Sequence, residues 1–168
     1  MRRFYKPVLI GIAGLITVML GLSVILPNQV MTSKWVRVSQ DKDSVIRVVK
    51  DLHTWDQWNS LLTGAQAVDV KDSLLNWTSP NGHMNSIRIE GVEDNGVSTS
   101  ISLNRSKYFN SGFSIEKRSS DSVQVVWYII EDLKWYPWEK FYGMMAADMK
   151  GPLMQESLDR LKSYLDQR

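Results

Sequence analysis

Residues 123–165 read VQVVWYIIEDLKWYPWEKFYGMMAADMKGPLMQESLDRLKSYL, and the two periodicities in that stretch decide the fold. Val123, Val125, Trp127 and Ile129 fall on one face and Val126, Tyr128 and Ile130 on the other, a period of two that predicts a strand over 123–131. A strand apolar on both faces is expected to be covered on both. From Pro137 the period lengthens to that of a helix, predicted over 137–165 with Pro137 in its first turn, where the missing amide is not needed. Trp138, Phe141, Met145 and Met149 run along one side of it. Met154, Leu158, Leu161 and Leu165 then form a second apolar stripe. Between the two sets, Gly151-Pro152 is expected to bend or split the helix, since proline removes an amide and collides with the preceding turn. The strand needs a cover, and the helix that follows can supply one.

Upstream, alternation over 30–38 predicts a strand, and Val45, Ile46, Val48, Val49 and Leu52 at helical spacing predict a helix over 41–52, capped by Asp41 or Asp43. A further turn or two over 54–59 puts Trp55 and Trp58 on one face. Strands follow at 66–71, 74–78, 85–93, 97–103 and 109–117. They are punctuated by Pro80-Asn81-Gly82 and Asp94-Asn95-Gly96, reversals whose Asn and Gly accept a positive φ. Strands joined by such turns pair with their sequence neighbours. Strand, short helices, antiparallel meander and long terminal helix make an α+β domain.

Ahead of this domain, residues 7–26, PVLIGIAGLITVMLGLSVIL, carry no charge and follow a tip holding Arg2, Arg3 and Lys6. About 20 residues at roughly 1.5 Å rise span the hydrocarbon core of a bilayer, so this is read as one transmembrane helix. A cleaved signal is the alternative, but its apolar region usually runs only about 7 to 15 residues. Basic flanks stay cytoplasmic. The reading is therefore a single-pass protein of the inner membrane with its domain on the exported side. Residues 1–28 form tip and anchor, and 29–168 form one domain tied closely to the membrane surface.

The 20 basic and 18 acidic residues give a net charge of +2, and without the three basic residues of the tip the balance is 17 against 18. The excess positive charge is thus a topology signal, and nucleic acid is not an expected partner. With no cysteine, the chain has no disulfide, thiol catalysis or thiolate metal site. His53 and His83 stand alone, without the spacing of a metal site, and no nucleotide-binding or nucleophile motif occurs. No metal or cofactor is expected. Glu131, Asp132 and Lys134 close the last strand before the aromatic run Trp135-Tyr136-Pro137-Trp138, which either plugs one end of the domain or rims a pocket. Trp55, Trp58 and Trp127 are expected in the core.

The segments VSQDKDSVIRVVKDLHTWDQWNSL at 38–61 and FYGMMAADMKGPLMQESLDRLKSYL at 141–165 carry a family resemblance. The first holds Asp51, Leu52, Trp55 and Trp58 in an Asp-Leu-x-x-Trp-x-x-Trp pattern; in the second, Gly151-Pro152 precedes Leu158, Leu161 and Lys162. With these, the chain resembles the membrane-anchored polyketide cyclase/dehydrase-like proteins of the START-like (SRPBCC) superfamily over about residues 30–165. That resemblance implies a helix-grip fold, a curved antiparallel sheet around a long C-terminal helix, with a cavity between them for apolar ligands. It implies a pocket lined by Trp138, Met145 and Met149 of the helix and by the inner face of the sheet, including Trp127. On that face Arg88 and Glu90 would orient a polar ligand head, or else form an exposed pair. No enzyme is implied, and no catalytic residue is carried over. The preferred reading is a module that binds a lipid or other hydrophobic small molecule at a membrane. The alternatives are a cyclase or hydratase acting on a hydrophobic substrate, and an envelope interaction domain whose cavity has filled in. The oligomeric state is not legible.

Overall fold

A computed structural model describes residues 5–105, 108–119 and 121–167. Arg2 and Arg3 of the basic tip lie outside them, as does the side chain of Met144. Helix α1 (Tyr5–Ile25) leads into strand β1 (Gln29–Val38) and helix α2 (Lys42–Lys50). A 3₁₀ turn at Leu52–Thr54, the short helix α3 (Trp55–Trp58) and a second 3₁₀ turn at Ser60–Leu62 follow. The meander is β2 (Gln66–Lys71), β3 (Leu74–Thr78), β4 (Met84–Glu93), β5 (Gly96–Ser102), β6 (Phe109–Lys117) and β7 (Val123–Asp132), and α4 (Pro137–Asp166) ends the chain. The seven strands form one antiparallel sheet in the order β1-β7-β6-β5-β4-β3-β2. The long helix packs chiefly on β1. This is the α+β helix-grip architecture, with one N-terminal apolar helix in front of it.

Asp41 accepts the Ser44 amide at 3.0 Å and caps α2. The hydrogen bond from the Ser44 hydroxyl, followed by the one from its amide, holds the Asp41 carboxyl below the usual carboxylate range. Helix α2 stops at Lys50 rather than reaching Leu52, because Asp51 turns out of helical geometry and its side chain accepts the His53 amide to start the next turn. Trp55 and Trp58 meet at 5.0 Å between ring centroids, and Phe113 of β6 stands edge-on to both while stacking on Trp127 at 5.2 Å. Each such aromatic pair contributes about 0.5–1.5 kcal/mol beyond its area. Trp127 donates from Nε1 to Ser111 Oγ at 3.0 Å, so its one polar atom is satisfied in the core. Beneath this cluster Met154, Leu158, Leu161 and Leu165 close the interior from α4.

Three local expectations are corrected. Helix α4 runs unbroken through Gly151-Pro152. Gly151 lets the Lys34 stem of β1 come so close that an added Cβ would sit 3.0 Å from its Cε, and this close packing accompanies the continuity of the helix. The turn at Asp94-Asn95-Gly96 uses no positive φ, unlike Gly82 at +78°; Gly96 is required because a side chain there would strike the Phe113 carbonyl. The outward face of β7 has no covering layer, and Val126, Tyr128 and Ile130 stay half-buried. Trp35 and Met31 of β1, across from Val126 and Ile130 in the ladder, remain exposed on that face.

Candidate functional site

A cleft of about 490 Å³ opens where the ends of β5, β6 and β7 meet the N-terminal half of α4. Leu103, Phe109, Leu133 and Tyr142 supply apolar wall, and Gly143 supplies the floor of the helix. Gly143 makes room for Leu133, since a Cβ there would lie 2.4 Å from a Leu133 methyl and force that side chain to shift. Leu133 is in turn held by its amide, which donates to the Asn28 carbonyl at 2.8 Å. At the base of the cleft, Glu131 (6% exposed) pairs with Lys150, whose ammonium also lies 5.2 Å from the centre of the Phe109 ring. Lys134 stands at the rim. Its hydrogen bond with the Tyr136 side chain, then the charges of Tyr136 and Glu139, hold its amine above the usual lysine value, so it is charged at neutral pH. The arrangement offers a short trough with an apolar wall and a charged rim of Asp132, Lys134 and Glu139, ending in a buried carboxylate and a part-buried ammonium, a shape that takes an apolar body with one polar end. A larger, shallower hollow of about 600 Å³ lies along α4 among Gln57, Pro152, Gln155, Glu156, Asp159, Arg160 and Tyr164, open to solvent and without a buried charged pair.

One side of this region is locked to α1. Lys140 is 2% exposed, and its ammonium donates to the carbonyls of Ser23 and Leu26 (the latter at 2.8 Å) and to Asn28 Oδ1 at 2.9 Å. All three of its donors are used, and two go to carbonyls that the end of a helix leaves without partners. A cation at a helix C-terminus also complements the helix dipole. Ser23 Oγ donates to the carbonyl of Trp135, in the segment between β7 and α4, a second tie from α1 to the domain.

The six residues expected to line a pocket are not brought together. Trp138, Met145 and Met149 are 64%, 68% and 75% exposed, on the outer side of α4. Trp127 is wholly inside the aromatic core. Arg88 and Glu90 are exposed and have separate partners: Arg88 lies over the Tyr108 ring at 5.6 Å, and Glu90 accepts from Ser100 Oγ at 2.5 Å. The physical reason lies in the helix: the stripe of Met154, Leu158, Leu161 and Leu165 faces the sheet, and stepping back from it by threes and fours leads to Gly151, Gly143 and Lys140, not to Met149, Met145 and Trp138. Sequence reasoning missed Lys140 and Lys150 because a lysine on the inner side of a helix runs against the usual pattern. Counting back from the leucines would have found both. His53 and His83 are exposed, and among the described residues no group of His, Cys, Asp or Glu is disposed to hold a metal ion.

No family model and no curated protein matches the chain. Solved structures do. A START superfamily protein from Mycobacterium smegmatis superposes with a TM-score of 0.62 at 18% identity, over 82% of this chain and 97% of that one. The chain has the START-like helix-grip fold. The same fold is shared with truncated norcoclaurine synthase from Thalictrum flavum (TM-score 0.64, 12% identity, 83% of this chain and 95% of that). It is shared too with the Zhui aromatase/cyclase from Streptomyces sp. R1128 (TM-score 0.61, 11% identity, 83% and 95%). Against this START-like frame, the cleft lies between the sheet and the first turns of the C-terminal helix. The remainder of the space under the sheet is filled by Trp55, Trp58, Phe113 and Trp127.

Proposed function

We propose that this START-like domain is a membrane-tethered binding module that holds a lipid or other hydrophobic small molecule in the cleft between the sheet and α4. The observation that carries the reading is the trough itself: apolar walls from Leu103, Phe109 and Leu133 that end on the buried Glu131–Lys150 pair. An apolar body gains by leaving water, and the pair gives its polar end a place to exchange water for charge-assisted hydrogen bonds. Helix α1, uncharged from Pro7 onward and long enough to cross a bilayer, is the tether, and the basic tip sets its start on the cytoplasmic side. The domain then works on the exported side of the inner membrane.

A second reading, a cyclase or hydratase acting on a hydrophobic substrate, is favoured by the same pair, since acid-base chemistry needs a titratable group buried within reach of the ligand. Glu131 is such a group, with Lys150 part-buried beside it. The test uses the full chain in lipid nanodiscs and the apolar fluorophore N-phenyl-1-naphthylamine. Uptake is expected in the parent, loss of uptake in Leu103→Trp, which fills the trough, and no change in Met149→Trp on the outer face. Equal uptake in the parent and Leu103→Trp sinks the cleft model, as does none in the parent. The ligand retained from native membranes, identified by native mass spectrometry, tells the two readings apart when it is chemically altered by the parent and left intact by Glu131→Gln.

A further inference from the structure

The N-terminal half of α4 is inside out. At about 100° per residue, Trp138, Phe141, Tyr142, Met145, Met149 and Leu153 share one side of the helix. All six are exposed. The side that faces the domain carries Lys140, Gly143, Lys150 and Gly151 in the same turns. Beyond Leu153 the pattern returns to normal: Met154, Leu158, Leu161 and Leu165 are buried, while Glu156, Asp159 and Ser163 continue the outer face as polar surface. A single outer face therefore changes from apolar to polar part-way along one helix. The apolar part is the half that Lys140 and Ser23 fasten to the end of α1.

We infer that this apolar face of α4, with Trp135 beside it, is a docking surface for the lipid bilayer, lying at the level of the headgroups around the point where α1 leaves the hydrocarbon. The inference rests on the reading of α1 as a membrane anchor. Three features select lipid over a protein partner as the occupant. The face is continuous with the anchor: Trp135 and Lys140 both bond to the last residues of α1, so the first turn of α4 is held where a spanning helix meets the interface. Its composition is that of an interface, with Trp135, Trp138 and Tyr142 nearest the anchor, where amphipathic rings prefer to sit. Its charges are arranged for one-sided contact: Lys140 is turned inward and spent on α1, Lys150 is turned inward and spent on Glu131, and Asp148 stands at the margin. A helix with a wide apolar outer face and inward or marginal charges is the pattern of an element lying in the plane of a membrane surface. Tyr142 belongs to both this face and the cleft, so the mouth of the cleft would open at headgroup depth.

Since the chain has no cysteine, single cysteines report one position each. Full-length chains carrying Met145→Cys, Met149→Cys or Ser163→Cys, with Val18→Cys as the anchor control, are spin-labelled and reconstituted into phosphatidylcholine vesicles. Collisions of each label with oxygen, which concentrates in lipid, and with a water-soluble nickel chelate are then compared. The expected result is that oxygen dominates at 145, 149 and 18 and the nickel chelate dominates at 163, an inversion along one face of one helix. Nickel access at 145 and 149 equal to that at 163, with label 18 still in lipid, overturns the docking surface and leaves the anchor standing. Shielding of 145 and 149 from both reagents identifies a second copy of the chain as the cover, and also overturns it. A water-exposed label at 18 removes the anchor and this inference together, whereas uptake of the fluorophore by the cleft is measured separately.

Discussion

At the scale of single residues, the two inward lysines carry the most consequence. Glu131 is buried, so removing its partner leaves a carboxylate without compensation. Lys150→Met is expected to destabilise the domain by about 3 kcal/mol, the lower end for a broken buried pair because Lys150 keeps some contact with water. Chemical denaturation measures it, and replacing both partners in Lys150→Met/Glu131→Leu should restore much of the loss. A double variant as unstable as the single one would show that the pair is not the cause. Asp41 acts at the other end of the fold and responds to pH. Its folded-state carboxyl titrates below its unfolded value, so the cap stabilises fully above the ordinary carboxylate range and fades as pH falls through the lower folded value. Below about pH 4 the parent should lose stability relative to Asp41→Asn, which keeps an acceptor at the cap without the titration. Parallel acid melting curves for the two chains would contradict this. Neither lysine was singled out in the sequence, because only a count back from the leucine stripe turns them inward, whereas Asp41 was legible because capping is a local matter of a few adjacent atoms.

At the scale of elements, the strands and the two ends of the domain were legible, since alternation and turn residues encode them directly. The orientation of α4 was not. Two apolar stripes lie on opposite sides of that helix, and the sequence alone does not say which meets the sheet; only the leucine stripe does, and Leu158 and Leu161 join Trp127 and Phe113 in one buried cluster. The expected break at Pro152 failed for a related reason. Packing along β1 held the helix together against the local preference of one residue. Pro152→Ala restores an amide to the middle of α4 and removes a ring, and is expected to raise stability by up to about 3 kcal/mol. Thermal melts of the two chains measure it. A lower melting temperature for the alanine chain would mean that α4 needs its proline to follow the sheet.

At the scale of the whole molecule, the tie between α1 and the domain sets how the two are held together. Lys140→Met removes the donor that, among the described residues, serves the Leu26 carbonyl and the Asn28 side chain, so amides of residues 23–29 should exchange faster with deuterium while those of β5 and β6 stay protected. Unchanged exchange at the junction would show that the ammonium does not hold it. The sheet order has a consequence for how the protein is made. Strand β1, next after α1, has one ladder only among the described residues, with β7, pairing Val38 with Val123 and Gln29 with Asp132. A chain that emerges N-terminus first must therefore hold its first strand unpaired until its last strand arrives, and pairings so distant in sequence form slowly. Folding of this domain is closed by its final residues, and a chain arrested before β7 would leave β1 as an open edge for a neighbouring chain to occupy.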